Sequence, residues 1–497
     1  MNQQTKIIQY NNDSEEINLD LRQSEYYGKA ANASSYSEKY EFFDEARPPF
    51  SKKRSGPINS KNGINHLEVA KNVIKNVGNE NILFTLGSIW LWKGNGVWSQ
   101  VDDREIKQVV HSLASNQNLT AAVVNSILDL VKTEASIHEV EFDQNPKSIN
   151  CLNGELSYVS GKWVLEPHNR EHYRTSIIPV EFNPDALAPR FSQFLQEIFS
   201  GDSDSINKVL LVEEAIGYTL IPSCYLEKFL MLIGGGANGK SVLLSVVLNL
   251  IGKKNVSAVQ PAQFDQKFQR AHLFKKLANI VTEIKEGGEI ADAELKSLTS
   301  GELTTAEKKF VAPFDFIPYA THWFGTNHLP HTRDFSDALF RRGIILTFNN
   351  KFEGKSRDVR LGETLKMELS GIFNMALKGL ARLLDNEVFT ECPSSYTALN
   401  QWRLEADQAA QFVEECCEKH DSRHVPSGEL YKRYIEWADS VGIRQKLAQK
   451  TLSNRLERLG FKPHRKGAGG TRVITGLVLK CPDGTSTYSM TKDGMME

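Results

Sequence analysis

Between Phe229 and Gly252 the chain reads FLMLIGGGANGKSVLLSVVLNLIG, and the spacing of its glycines, lysine and serine defines a chemistry. Gly234, Gly235, Gly236, Ala237, Asn238, Gly239, Lys240 and Ser241 fit G-x-x-x-x-G-K-[ST]. Glycines let a backbone turn so that successive N–H groups point inward at phosphate oxygens. A helix starting near Lys240 adds the positive end of its dipole. Lys240 is expected to reach the β- and γ-phosphates of a nucleotide, and Ser241 to hold Mg²⁺. A glycine-rich turn can also precede an ordinary core helix. Here an apolar run, Phe229–Ile233, comes before the loop and a helical run follows it, which is the context the motif requires.

Four further groups of residues would complete such a site. KLANIVTEI (Lys276–Ile284) is an apolar strand candidate ending in an acid, Glu283. Beside a phosphate loop, an acid there holds Mg²⁺ or polarises the attacking water. Thr282 and Ile284 flank it, so one carboxylate does both jobs, or Mg²⁺ is held mainly by Ser241 and phosphate oxygens. YATHWFGTN (Tyr319–Asn327) ends in Asn327, at the carboxyl end of a strand, where ligands of parallel sheets collect. Its amide would sense the γ-phosphate. FSDALFRRGIILTF places Arg341 and Arg342 before another apolar strand. An arginine offered to a neighbouring subunit stabilises the charge that develops in phosphoryl transfer, which implies a ring. Between Glu283 and Asn327 a short helix, a turn and two strands are expected, with Lys308, Lys309 and Phe310 near a hairpin tip. Two cations and an aromatic suit a loop that tracks a DNA backbone.

The elements that must position these residues are spread over 497 residues, enough for two to four domains. Formal net charge is −2, so any basic surface is local. The six cysteines form no CxxC pair, which suggests neither a zinc site nor a disulfide framework. No apolar run is long enough to span a membrane, and the polar N-terminus lacks a signal-peptide core. A cytoplasmic location is expected. Residues 1–65 read as a polar, disordered arm, whose Lys52, Lys53 and Arg54 belong to a solvated linker. Residues 66–188 read as an α+β accessory domain with a hairpin turning at Asn95-Gly96. Trp90, Trp92 and Trp98 are expected to pack rather than stack on bases. Residues 189–392 hold the phosphate loop with flanking helices. Asp202 and Asp204 form a DxD in a turn between two helices, read as helix capping.

After the breaker Cys392-Pro393, residues 393–480 read as a long helix Ser395–Lys419, two more helices and a glycine-turned hairpin, the pattern of a winged helix. Lys450, Arg455, Arg458, Arg465 and Lys466 belong to a run of ten cations facing one acid, Glu457. A helix entering the major groove, with the wing on phosphates, would use them for DNA. Residues 481–497 read as a tail. The fold class expected is multidomain, with α+β, α/β phosphate-loop and winged-helix parts.

The order of GGGANGKS, Glu283, the basic hairpin, FGTN and FRRG resembles superfamily 3 helicases, in the phage, plasmid and poxvirus primase–helicase branch. KSLTSGELTTAEKKF and ATHWFGTNHLPHTRDFSDALFRRGIILTF carry the resemblance most strongly, and it extends over most of residues 66–440. It implies an AAA+-like core, ATP and Mg²⁺, and a homo-oligomer, usually a hexamer, with ATP sites between subunits. Single-stranded and forked DNA are the implied partners. By the family's motifs Lys240 and Ser241 match the Walker A pair, Glu283 the Walker B acid and Asn327 the sensor. Arg342 matches the arginine finger better than Arg341, and Lys308 and Lys309 match the channel hairpin. No primase part is recognisable, so priming is expected either to come from a separate primase or polymerase or to play no part. Two other readings stay open: an origin-binding initiator that recognises duplex, and an ATP-dependent protein remodeller.

Overall fold

The computed structural model describes residues 64–480 apart from 115–118, 138–139, 285–289, 310, 331, 333, 335–336, 355–357, 442, 444–445 and 467–469. The expected N-terminal arm and C-terminal tail lie almost wholly outside the described residues. The chain divides into two compact units. One takes residues up to Gly94, Trp98–Glu141 and Ser157–Leu165; the other takes Asn95–Val97, Phe142–Leu156 and everything from Glu166.

The first unit begins with α1 (His66–Val77) and an antiparallel meander, β1 (Ile82–Thr85), β2 (Ser88–Trp92) and β3 (Trp98–Val101). Helices α2 (Asp103–Leu113) and α3 (Ala121–Glu134) follow. Each helix starts on a side-chain oxygen: Asn65 accepts from the Glu68 amide, Asp102 from Arg104 and Thr120 from Val123. These satisfy donors that a helix start leaves without partners. Val73, Ile106, Val110 and Ile127 close a core with Ile82 and Ile89. Trp90 and Trp98 are buried, as packing predicts. Strands β4 (Ser148–Cys151), β5 (Gly154–Val159) and β6 (Lys162–Glu166) lie in the stretch of chain shared between the units.

The second unit carries α4 (Pro189–Ile198), α5 (Ser205–Thr219), β7 (Phe229–Ile233), α6 (Lys240–Ile251), β8 (Val256–Ser257) and β9 (Ala278–Val281). Then come α7 (Asp292–Thr299), the antiparallel pair β10 (Thr304–Ala306) and β11 (Phe314–Phe316), β12 (Thr321–Thr326) and β13 (Gly343–Thr347). Five strands make a parallel sheet in the order β13-β7-β12-β9-β8. The chain runs from β7 to the far edge, returns through β9 and β12, and steps over β7 to β13. That reversal puts a switch point at the carboxyl end of β7. Every residue of β9 and β12 is buried, so neither strand alternates between an apolar and a solvent face.

The Gly-Asp-Ser-Asp-Ser turn, expected to cap its own helix, ties distant segments instead. Asp204 begins α5 without a side-chain bond to it. Its carboxylate instead accepts from the Ser394 amide at 2.8 Å, in the first turn of a later helix. Asp202 pairs at 2.7 Å with Lys208, whose side chain is fully buried. The Lys208 amine also donates to the Thr347 carbonyl at 3.0 Å and hydroxyl at 2.8 Å, which fixes the end of β13. Helix α8 (Leu369–Asn386) follows. Helix α9 (Pro393–Ala406) then lies beside β13, where the Ser395 hydroxyl accepts from the Ile345 amide at 3.0 Å.

The last stretch holds α10 (Gln408–Cys416), β14 (Cys417–Pro426), α11 (Ser427–Ser440), α12 (Gln449–Arg458), β15 (Pro463–Lys466) and β16 (Thr471–Leu479). Its three-stranded sheet has the order β14-β16-β15. Phe412, Leu430, Tyr434, Leu452, Leu456 and Leu477 form its core. The long helix expected over Ser395–Lys419 is two helices. Asp407 adopts an extended ψ of 98° and caps α10 through the Ala409 amide. Strand β14, not expected from the sequence, pairs with β16. Among the described residues, no helix is long and apolar enough to cross a membrane.

Candidate nucleotide site and basic surfaces

Strand register gathers the candidate residues. Ile233 stands opposite Thr326 on one side and Thr347 on the other. The next residues, Gly234, Asn327 and Phe348, therefore emerge together at the carboxyl edge of the sheet. The loop between β7 and α6 is tied to the chain that follows β13. Phe352 donates its amide to the Ala237 carbonyl at 2.7 Å, and the Asn238 amide group reaches the Phe348 carbonyl at 3.5 Å. Gly239 has φ 93°, and a Cβ there would lie 2.7 Å from Ile198 Cγ2. A side chain at this position would meet both steric obstacles.

Lys240 opens α6 and is buried. Its amine donates to the carbonyls of Gly234 and Gly235 (the latter at 3.3 Å), to Asn238 Oδ1 at 3.1 Å and to Asn327 Oδ1 at 3.3 Å. Burial lowers its pKa below the usual lysine range, while the Glu283 carboxylate pulls it back upward. Charge on Glu283 is thus felt at Lys240. Glu283 sits two residues past the end of β9, beyond the strand predicted to reach Ile284, and is exposed. The Ile284 amide donates to the Gly325 carbonyl at 2.9 Å, which holds this turn against β12. Ser241 is exposed in the first turn of α6.

The two arginines are placed differently. Arg342 is buried. Its guanidinium donates to Ser300 Oγ at 3.2 and 2.7 Å and to the Ala338 carbonyl at 2.6 Å, and it pairs with Glu227 at 2.7 Å. All these bonds lie within this chain, an arrangement unlike the side chain offered outward that the family's motif implies for Arg342. Arg341 is exposed, and its guanidinium lies 3.7 Å from the same Glu227. The sequence offered no signal for Glu227 or Ser300, because each acts through contacts distant in the chain.

Lys308 and Lys309 are exposed in the connection between β10 and β11, the tip position expected. Lys308 Nζ stands 5.6 Å from the Phe274 ring and 5.4 Å from the Phe314 ring. Phe310 lies outside the described residues. In the last stretch Lys450, Arg458, Arg465 and Lys466 are exposed. Arg465 stands opposite Arg472 across β15 and β16, and both are exposed. Arg455 is half-buried and pairs with Asp407 at 3.4 Å, so it braces the α10 start.

Three family profiles match successive parts of the chain. "D5 N terminal like" covers residues 70–200, a family of unknown function (DUF5906) covers 232–342, and "Poxvirus D5 protein-like" covers 404–471. A curated protein named "Putative helicase L207/L206", from Acanthamoeba polyphaga mimivirus, is 28% identical over 160 residues. That match spans 29% of this chain and 15% of the viral protein. Among solved structures, apo forms of the NrS-1 C-terminal region match with TM-scores of 0.47 and 0.45 at 11% and 12% identity. They cover 83% and 84% of this chain and 100% and 99% of theirs. Two segments of the chain are thus similar to D5-type proteins and the viral relative carries a helicase name, while the chain spans only a small part of that relative's length.

Proposed function

We propose that the chain is an ATP-dependent DNA helicase of a mobile genetic element, of the superfamily 3 type. It would work as a ring, with ATP hydrolysed between subunits. The observation that carries this reading is the convergence on Lys240. Its amine reaches the phosphate loop and the Asn327 amide from β12, and it senses the Glu283 charge. One buried cation thus joins the group that binds phosphate to the two that would orient water. Loop amides and the α6 N-terminus would take the phosphate oxygens, and Lys240 would neutralise charge on the β- and γ-phosphates. Glu283 would polarise the attacking water, with Asn327 holding it in line.

Among the described residues, no three His, Cys, Asp or Glu side chains cluster as a metal site. Mg²⁺ held by one or two protein oxygens and substrate phosphates needs no such cage. The exposed Ser241 hydroxyl and Glu283 carboxylate fit that role, and the ion, when bound, would offset phosphate charge. Arg341, exposed where Arg342 is not, would reach the neighbouring subunit's γ-phosphate. Lys308 and Lys309 would track single-stranded DNA, and the C-terminal helices and hairpin would act as a winged helix on duplex through Lys450, Arg458, Arg465 and Lys466. The exposed arginine pair on β15 and β16 also favours a second reading, an origin-binding initiator in which ATP governs assembly.

The test is ATP hydrolysis and strand displacement on forked DNA by wild type, Lys240→Ala and Glu283→Gln. Loss of both activities in each variant is expected, and full turnover in either would sink the assignment. Isolated hydrolysis without any strand displacement by wild type would favour the initiator.

A further inference from the structure

Arg342 is adjacent to the arginine offered to a neighbour, yet its own side chain points to the root of the β10–β11 hairpin. Ser300, its partner, directly follows α7 and lies four residues before β10. Gly301 next to it has φ 66°, and a Cβ there would stand 3.4 Å from both the Pro318 carbonyl and Cys224 Cβ. The Cys224 thiol in turn faces the Leu298 and Pro318 carbonyls at 3.8 and 3.6 Å. Both strands of the hairpin thus leave one packed root. Cys224 begins the turn that ends at Glu227, whose amide donates to the Cys224 carbonyl at 2.9 Å. Glu227 has a left-handed φ of 51° and faces both Arg341 and Arg342. On its other side Arg342 accepts at its carbonyl from the Phe229 amide at 2.9 Å, so it also holds the first residue of β7.

We propose that Arg342 is a positioning residue that couples Arg341 to the hairpin through Ser300. This rests on the helicase reading above. Glu227 is shared by two guanidiniums, one exposed and one buried. When Arg341 is drawn toward a neighbour's phosphates, Glu227 is left to Arg342 alone. The buried guanidinium is bonded on its remaining edges to Ser300 and Ala338, so a shift in it moves the hairpin root. The state of the nucleotide next door then reaches Lys308 and Lys309 through one side chain. The Ser300 hydroxyl is the joint of this linkage and touches no substrate.

The experiment uses the full chain and compares ATP hydrolysis with and without single-stranded DNA in wild type, Ser300→Ala, Ser300→Thr, Arg342→Lys and the Ser300→Ala/Arg342→Lys double variant. Ser300→Ala should keep DNA-free hydrolysis within about twofold of wild type while its stimulation by DNA falls about fivefold or more, the lower end of ordinary site-to-site coupling. Ser300→Thr, which keeps the hydroxyl, should restore stimulation. The double variant should be no worse than the poorer single variant, because both break one linkage. Full stimulation in Ser300→Ala, or strictly additive losses in the double variant, would overturn the coupling while leaving the helicase reading intact. Undiminished hydrolysis in Lys240→Ala, or no stimulation of wild type by DNA, would overturn that reading and the coupling with it. Should Ser300→Ala fail to fold, as judged by circular dichroism, Arg342→Lys supplies the same comparison.

Discussion

Gly325→Ala tests whether the proposed water-orienting groups depend on strand spacing. Gly325 lies in β12 one residue before Thr326, beside the end of β9 that leads to Glu283. A Cβ there would stand 2.4 Å from the Thr282 carbonyl oxygen and 3.1 Å from Leu244 Cδ1, where ordinary contact begins at 3.4 Å. Leu244 can rotate, but the Thr282 carbonyl is backbone. The ends of β9 and β12 must therefore part by about 1 Å, an overpacking that costs about 1–3 kcal/mol. The same movement separates Glu283 from Asn327. Misplacing catalytic groups by about 1 Å lowers turnover about a hundredfold. The phosphate loop hangs on β7 and α6, so nucleotide affinity should change little. Binding of a fluorescent nucleotide, steady-state hydrolysis and urea unfolding measured on one preparation separate these effects. Folded Gly325→Ala protein with wild-type kcat would refute the argument, because the two groups would then not need this spacing. Loss of nucleotide binding in a folded protein would also refute it, since the damage would have reached the loop.

Further expectations follow from the same geometry. Asp202→Ala leaves the fully buried Lys208 without its carboxylate, and urea denaturation should show a loss of about 3–5 kcal/mol. His322 is fully buried on β12, and burial pushes its pKa down to about 3 from an ordinary 6.5. The unfolded chain binds the proton first, so stability is whole above about pH 6.5 and falls as pH drops toward 3, by about 4 kcal/mol across that window. His322→Phe should flatten that part of a stability-against-pH curve, and an unchanged slope would remove His322 as its source. Replacing Arg465 and Arg472 together by Ala should weaken duplex binding and lower the salt slope by about 2; an unchanged slope would place the phosphate contacts elsewhere. Arg341→Ala mixed with wild type should inhibit more than in proportion to its share if the site is shared between subunits, and simple additivity in a mixing titration would argue against that.

The parts of the site legible in the sequence are those that depend on local chemistry. Glycines at 234 and 239, the lysine that follows, and strand candidates ending in Glu283 and Asn327 announce themselves because loop geometry and strand burial restrict which residues fit. The hairpin beneath Lys308 was equally visible. What stayed hidden depends on contacts between distant residues. FRRG carries two arginines, and only the packing of Ser300 and Glu227 decides which guanidinium is buried. The DxD turn was expected to cap its own helix, but Asp204 serves the Ser394 amide 190 residues away. The helix break at Asp407 comes without glycine or proline, since an aspartate that caps one helix and pairs with Arg455 can end another. Strand β14 is polar and reads EKHDSRH through its middle, a pattern without apolar alternation, and only its pairing with β16 makes it a strand.

The bond from the Ile345 amide to Ser395 has a consequence for assembly. A five-stranded parallel sheet has two rims, and an uncovered rim invites another chain to add a strand. Here one rim is β8, only two residues long. The other is β13, where α9 lies alongside and its serine hydroxyl occupies a donor that a foreign strand would need. Among the described residues neither rim offers a long uncovered ladder, which disfavours addition of a strand from another copy to this sheet. In the ring proposed above, side chains on helices, loops and strand ends would set how many subunits join and in what orientation, and such contacts could close or release the ring without unravelling the sheet.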